Sequence, residues 1–240
     1  MKIAIISDVH GNRLALEAVL DDIKRQKLDG IFNLGDHVSG PLEPNWTADI
    51  LMELDIPTIR GNHERDLVEK PPEKLGRVDR FAQEQMDSRH RAWINDQPAT
   101  LSFLDDVFLC HGTPRSCDEV WLDNFWEGRR VTVPDEAEVT AKAEGFDYPV
   151  LLCGHTHIPR AVRLRDGRLI VNPGSVGLQV NHGSPDARYA TIELRDGRYY
   201  PSFHAVPYDH EAAARQAESN GFPAWRDVLM TGWAGAGGLF

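Results

Sequence analysis

Three cysteines in 240 residues are an odd number and cannot close a disulfide framework. Cys110 and Cys153 lie inside apolar runs and read as buried thiols; Cys117 lies outside them. No apolar run approaches the ~20 residues of a membrane span. The chain opens on a strand from Lys2 rather than on a secretory leader, so a cytoplasmic protein is expected. Basic charge is also scarce: 26 Lys and Arg against 37 Asp and Glu leave a net charge of −11. Binding of nucleic acid by bulk electrostatics needs basic residues in excess, so neither a nucleic acid polymer nor a membrane is an expected partner. An anionic substrate would have to be attracted locally, as metal ions could do. No repeat and no linker divides the chain, which reads as a single domain over 1–240. A 41% hydrophobic share at this length can bury a sizeable core.

What the chain does have begins at Ile3-Ala4-Ile5-Ile6-Ser7-Asp8-Val9-His10-Gly11. The apolar part is too short for a helix and reads as a strand buried on both faces. Asp8 and His10 then lie just beyond its carboxyl end, where open α/β sheets place their ligands. Asn12 is a good N-cap, and Leu16, Val19, Leu20 and Ile23 repeat at helical spacing, so a helix is expected over 13–27. The run 30–34 is the next strand and completes a parallel strand-helix-strand unit. Pro44 introduces a second helix over 45–54, and Ile56 to Arg60 reads as a third strand.

Residues 65–98 read as mostly helical and charged, with a break at Pro71-Pro72 and Phe81, Met86, Trp93 and Ile94 packing onto the body. Residues 100–103 and 107–110 form a hairpin around Asp105-Asp106. The stretch 113–148 is an insert-like excursion bearing Trp121, Phe125 and Trp126, with a helix over 135–144; it is either a substrate wall or a packed surface insert. Val150 to Cys153 is the fifth buried strand. Hairpins turning at Asp166-Gly167 and Asp196-Gly197 follow. C-terminal helices are expected over 209–220 and 223–231, ahead of a frayed Gly-Ala-Gly-Gly tail.

Five strands thus end in Asp8-x-His10, Gly35-Asp36, Gly61-Asn62-His63, His111-Gly112 and Gly154-His155-x-His157. Apart from His63, the pooled ligands are two carboxylates, one amide oxygen and four imidazoles, too many for one ion. Carboxylate oxygen with imidazole nitrogen suits manganese, iron, zinc, cobalt or nickel rather than calcium or magnesium. The absence of cysteine among them argues against a structural zinc site. Two metals sharing a bridging carboxylate fit the count.

These motifs resemble the signature of the calcineurin-like metallophosphoesterases, over Lys2 to about Tyr208. The segments from Asp8 to Asn12, from Gly35 to Pro41 and from Asn172 to Gly177 are similar to the small bacterial and archaeal phosphodiesterase branch. The chain departs from the better-known members at Ser39 to Leu42, in the 113–148 excursion and at 179–186, loops that would shape the pocket.

The resemblance implies an α/β (α+β) fold, a four-layer αββα sandwich of two mixed sheets flanked by helices. It implies two divalent transition-metal ions, manganese first and iron, zinc, nickel or cobalt otherwise. Asp8, His10 and His157 would hold one; Asn62, His111 and His155 the other; Asp36 would bridge them. His63 would face the substrate, as proton donor to the leaving oxygen or as a positive charge beside it, oriented by Glu64, Asp66 or a backbone carbonyl. The implied activity is hydrolysis of small nucleotide-like phosphodiesters by a metal-bridging hydroxide.

The alternatives are a phosphomonoesterase, a dinucleoside polyphosphate hydrolase, a nuclease, or a metal-binding scaffold without turnover. Arg13, Arg115 and His182 lie on segments leaving the site and are candidates to meet substrate. His37 reads more as a surface histidine at a strand end. His90, His204 and His210 read as structural or solvated, and Asn172 to Ser175 as a turn supporting the His157 loop. A homo-oligomer is compatible with the Trp-rich excursion and the C-terminal helices.

Overall fold

Four consecutive aliphatic side chains, Ile3 to Ile6, are satisfied only by a strand covered on both faces, and that strand sits inside the molecule. A computed structural model describes residues 1–126, 130–180, 183–233 and 239. The Gly-rich tail over 235–238, His182 and the side chain of Trp126 lie outside the described residues. The first half runs β1 (Lys2–Ile6), α1 (Arg13–Arg25), β2 (Gly30–Asn33), α2 (Pro44–Leu54), α3 (Asn62–Glu69), α4 (Arg77–Gln85), α5 (Ser88–Asp96), β3 (Leu101–Phe103) and β4 (Val107–Leu109). The second half runs β5 (Asn124–Trp126), β6 (Arg130–Thr132), α6 (Glu136–Lys142), β7 (Val150–Leu152), β8 (Arg160–Arg163), β9 (Leu169–Asn172), β10 (Ala187–Arg195), β11 (Arg198–Val206), α7 (His210–Ser219) and α8 (Ala224–Thr231).

Two mixed sheets result, in the orders β11-β10-β1-β2 and β3-β4-β7-β9-β8. β1 and β2 are parallel, as are β4, β7 and β9, while the hairpin strands add antiparallel neighbours. The sheets stack face to face: Ile3, Ile5 and Ile192 of the first pack with Leu109, Leu152 and Val171 of the second. Because side chains alternate across a strand, Ala4 and Ile6 face the other way. They meet Leu16, Val19 and Ile23 of α1 and Leu51 of α2. The far face of the second sheet, at Phe108, Leu151 and Ile170, is covered by Trp121 and by Val139 of α6. The order of layers is therefore helix, sheet, sheet, helix, as the motifs imply. α7 and α8 pack by Ala213, Ala217, Trp225 and Val228 onto Leu42 and Val78.

Two expectations change. The stretch from Ile56 to Arg60 is not a full strand; it meets β2 through one parallel bridge, Asn33 to Thr58. Pro57 has no N–H to donate to a ladder, which confines the segment to the sheet edge. The excursion contains a short antiparallel pair, β5 with β6, whose three-residue strands are too brief to show a period. Its helix is capped by Asp135, which accepts the Glu138 N–H. Trp121 is buried and donates its indole N–H to the Val139 carbonyl at 3.0 Å.

Leu152 is fully buried between the sheets. Leu152→Ala should lower unfolding free energy by about 2–5 kcal/mol, the range for a Leu cavity in a packed core. Urea denaturation measures it, and a loss under about 1 kcal/mol would contradict the packing.

Candidate metal centre

The carboxyl ends of parallel strands in both sheets finish along one edge, and the loops leaving them interlock. Asp8 N–H donates to the Gly35 carbonyl (2.9 Å), His10 N–H to Asp36 (3.0 Å) and Gly154 N–H to His111 (2.7 Å). Between sheets, His155 N–H donates to Asp8 Oδ2 at 3.2 Å. All seven candidate ligands read from the sequence are brought to this edge. Five stand at positive φ: Asp8, His10, Asp36, His155 and His157, between 50° and 68°. A non-glycine residue there costs about 1–3 kcal/mol, and such strain persists where surrounding structure imposes it. The close approach also needs a glycine: a Cβ on Gly61 would stand 2.1 Å from Asp36 Oδ1.

The side chains form two groups whose ligand atoms lie within 4.8 Å of one another: Asp8, His10 and His157, and Asp36, His111 and His155. In every one of the four imidazoles one ring nitrogen meets a backbone carbonyl. His10 Nδ1 donates to Ser39 (2.7 Å), His157 Nδ1 to Leu178 (2.7 Å), His111 Nδ1 to Leu34 (2.8 Å) and His155 Nε2 to Asp118 (3.1 Å). That leaves the second nitrogen as a lone pair, the ligand form of histidine.

The lone pairs converge on other acceptors. His10 Nε2 and His157 Nε2 face each other at 3.1 Å, and Asp8 Oδ1 lies 3.2 Å from the latter. Asp8 Oδ1 is buried and has no hydrogen-bond partner among the described residues. His111 Nε2 is 3.1 Å from both Asp36 Oδ2 and Asn62 Oδ1, which adds Asn62 to the second group. Facing acceptors repel unless a proton or a metal cation lies between them, and the oxygen and nitrogen donors of each group fit a divalent metal. Asp8 Oδ1 is also 4.0 Å from His111 Nε2, so a buried carboxylate faces both groups.

The charges agree. Burial raises the Asp8 carboxyl, but His157 and His111 together lower the group to about 2. Burial likewise opposes Asp36, which His111 and His63 hold well below the usual carboxylate range. Burial and then His157 lower His10 to about 3, keeping it neutral. His111 moves the other way: against burial, Asp36 raises it to about 10. A metal would take the place of that proton.

Gly61 precedes α3, and glycine has no side chain to cap a helix. Asp36 Oδ1 does so instead, accepting the His63 N–H at 3.1 Å, a favourable charge at a helix N-terminus. Glu64, in the first turn, is fully buried and reaches back across the β2 loop. Its carboxylate accepts the N–H groups of Asp36 (2.7 Å), His37 (2.8 Å), Gly61 (3.1 Å) and Val38 (3.4 Å). Glu64 therefore does not orient His63, and Asp66 pairs with Arg65 and Lys70. His63 Nδ1 is instead met by Asp79 on α4, whose Oδ1 lies 2.6 Å away. Burial lowers His63, but Asp36 and then Asp79 raise it to about 9. Nothing local marked Asp79, an acid in a charged helix sixteen positions away.

Arg13, His37 and Arg115 each have partners of their own. Arg13 is held by Glu17 (2.8 Å) and Glu43 (3.5 Å) and stacks on Trp46. His37 is buried, not a surface group, between Asn33 and Gln97, both at 3.0 Å. Arg115 donates to the Glu144 carbonyl and lies over Phe146, at the edge of a cleft of about 380 Å³ that also touches His111. His182 is outside the described residues. The turn from Asn172 does support the His157 loop. Asn172 Nδ2 donates to the Gly154 carbonyl (2.7 Å) and Thr156 Oγ1 (3.0 Å), and Ser175 Oγ to the Asp8 carbonyl (2.7 Å). The excursion adds Asp123, buried, whose Oδ2 accepts from Thr156 Oγ1 at 3.0 Å.

Comparison with known proteins agrees with this geometry. The model of the calcineurin-like phosphoesterase superfamily domain matches residues 1–197. An uncharacterized protein of Methanocaldococcus jannaschii is 28% identical, over 93% of this chain and 94% of its own. A crystal structure of a metallophosphoesterase from Sphaerobacter thermophilus superposes with a TM-score of 0.80 at 27% identity, covering 97% of this chain and 100% of that one. The chain belongs to the calcineurin-like phosphoesterase superfamily.

Glu64→Gln turns an amide N–H₂ toward backbone donors that need an acceptor. It should cost about 1–3 kcal/mol of stability, the penalty for unsatisfied buried donors. Chemical denaturation reads the change, and wild-type stability would refute the role given to the carboxylate.

Proposed function

We propose that this calcineurin-like phosphoesterase hydrolyses small nucleotide-like phosphodiesters at a centre of two divalent cations, manganese first, with iron, zinc, nickel or cobalt able to serve. One observation carries the reading: four imidazoles, each tied by one nitrogen to a backbone carbonyl, turn the other into two groups that contain Asp8 and Asp36. Asp8, His10 and His157 would hold one cation and Asn62, His111 and His155 the other, with Asp36 between them. Two bound cations supply Lewis acidity, lowering the pKa of a water toward neutrality and offsetting phosphate charge. The ion groups also supply the local attraction that a chain of net charge −11 otherwise lacks for an anionic substrate.

His63 is not counted among the ligands. Its ring lies edge-on to that of His10, with centroids 5.4 Å apart, at the margin of the first group. Asp79 accepts from Nδ1 and fixes the ring, which directs Nε2 as the proton donor to the departing oxygen. A diester expels an alkoxide, a poor leaving group unless a proton reaches it, and this is the step His63 serves. The chain is read as one catalytic domain over 1–240, acting in the cytoplasm on a small ester rather than on a nucleic acid polymer or a membrane. A monoesterase or a dinucleoside polyphosphate hydrolase is the alternative use of the same centre.

The test is metal-stripped protein refilled in turn with manganese, nickel, cobalt, zinc, iron and magnesium, with metal content and turnover of chromogenic mono- and diesters measured together. The expected result is diester turnover restored by a transition metal at about two ions per chain. Two bound ions without turnover of either ester would favour a scaffold.

A second experiment addresses the donor. His63→Ala should keep its metal and lose about 10²–10⁴-fold in rate, the usual worth of general acid help. Asp79→Asn should lose less, since the ring remains. Wild-type rates in His63→Ala would end the assignment.

A further inference from the structure

The two ligand groups are built differently. The carbonyls that fix His10 and His157 come from Ser39 and Leu178. The carbonyl that fixes His155 comes from Asp118, on the excursion. That segment folds back on His111: Thr113 and Ser116 exchange backbone hydrogen bonds of 2.8 and 3.2 Å. A Cβ on Gly112 would lie 2.6 Å from the carbonyl oxygens of Ser116 and Glu119. Its far end is tied to α6, where Lys142 Nζ lies 3.3 Å from Glu119 Oε1 and donates to the Val120 carbonyl at 2.5 Å.

One side chain joins this segment to the opposite wall. Arg65 follows Glu64 on α3, the helix that begins with Asn62. Its guanidinium donates to the Asp118 carboxylate, and Nη1 lies 3.1 Å from Cys117 Sγ. Asp66 Oδ1, 2.6 Å from Nη2, braces the guanidinium from behind. Asp118 thus works at both ends: its carboxylate takes Arg65 and its carbonyl takes His155. The link runs from the element carrying Asn62 to the residue that fixes His155, and both belong to the second group. No comparable link to Arg65 enters the first group among the described residues.

We propose that Arg65 and Asp118 are positioning residues that lock the segment 113–118 onto His155, and so set the affinity of the Asn62, His111 and His155 group for its cation without supplying a ligand. This rests on the reading that the two groups hold cations. The side chain of Asp118 is 57% exposed and that of Arg65 27%, so the link contributes modestly. Outer residues that orient metal ligands act on affinity by about 10–100-fold, and Arg65 acts one bond further out, so about three- to tenfold is expected.

The experiment is calorimetric titration of the metal-stripped full chain with manganese alone, for wild type, Arg65→Gln, Asp118→Asn and the double variant. Wild type should show two binding events. Each single variant should weaken one event about three- to tenfold and leave the other within twofold. The double variant should lose no more than either single one, because both break one link. Imidazole nitrogen shifts of His155 in the metal-free chain give a second readout: wild type should hold its proton on Nε2, and Arg65→Gln should show mixed tautomers. Two events of wild-type affinity in both single variants, equal weakening of both events, or additive losses would overturn the proposal while leaving the two-cation reading intact. No manganese binding by wild type would overturn that reading and the proposal with it.

Discussion

A carboxylate taken out of water must find several donors, and Glu64 finds four backbone N–H groups, three in the β2 loop and one at Gly61. These are donors that neither a sheet nor a helix could satisfy where they lie. The bond network holds the loop bearing Asp36 against the start of α3, which bears Asn62 and His63. Asp36 then returns the contact by capping α3 through the His63 N–H. Two segments far apart in sequence are thereby tied together.

The histidines use the same device in reverse. Each donates one N–H to a carbonyl belonging to a distant loop, and so presents a lone pair in a set direction. The backbone at five of the seven candidate ligands is left-handed, a conformation that local sequence disfavours. The stacked sheets and the interloop hydrogen bonds impose it. Stability and preorganisation are opposed here: the buried acids and facing acceptors cost folding energy and leave two groups suited to a cation.

Most of the centre was legible because each candidate ligand directly follows a short apolar run, and the pattern recurs through the chain. Asp8, Asp36, His111 and His155 could be read in this way without a fold. The helices expected over 13–27 and 45–54 were equally plain, the first from apolar spacing after Asn12 and the second from Pro44, and they form over 13–25 and 44–54. Where Pro57 denied the chain a donor, an apolar run overstated a strand. Where β5 and β6 span three residues each, there was no period to read. His37 looked like a surface group beside Asp36, but the Glu64 network turns its loop inward.

By itself the sequence determined the order of the ligand types along the chain, their donor chemistry and the family to which the chain belongs. Those depend on neighbours along the chain and on side-chain chemistry, which covalent order preserves. The tertiary structure alone decided which acid serves which histidine. Asp79 meets His63 from another helix, the Asp118 carbonyl meets His155 across 37 positions, and Asp8 meets the His155 N–H across 147. An aspartate in a charged helix looks like any other in sequence, and only the packing of helix on sheet and loop on loop brings one of them within 2.6 Å of a ring nitrogen.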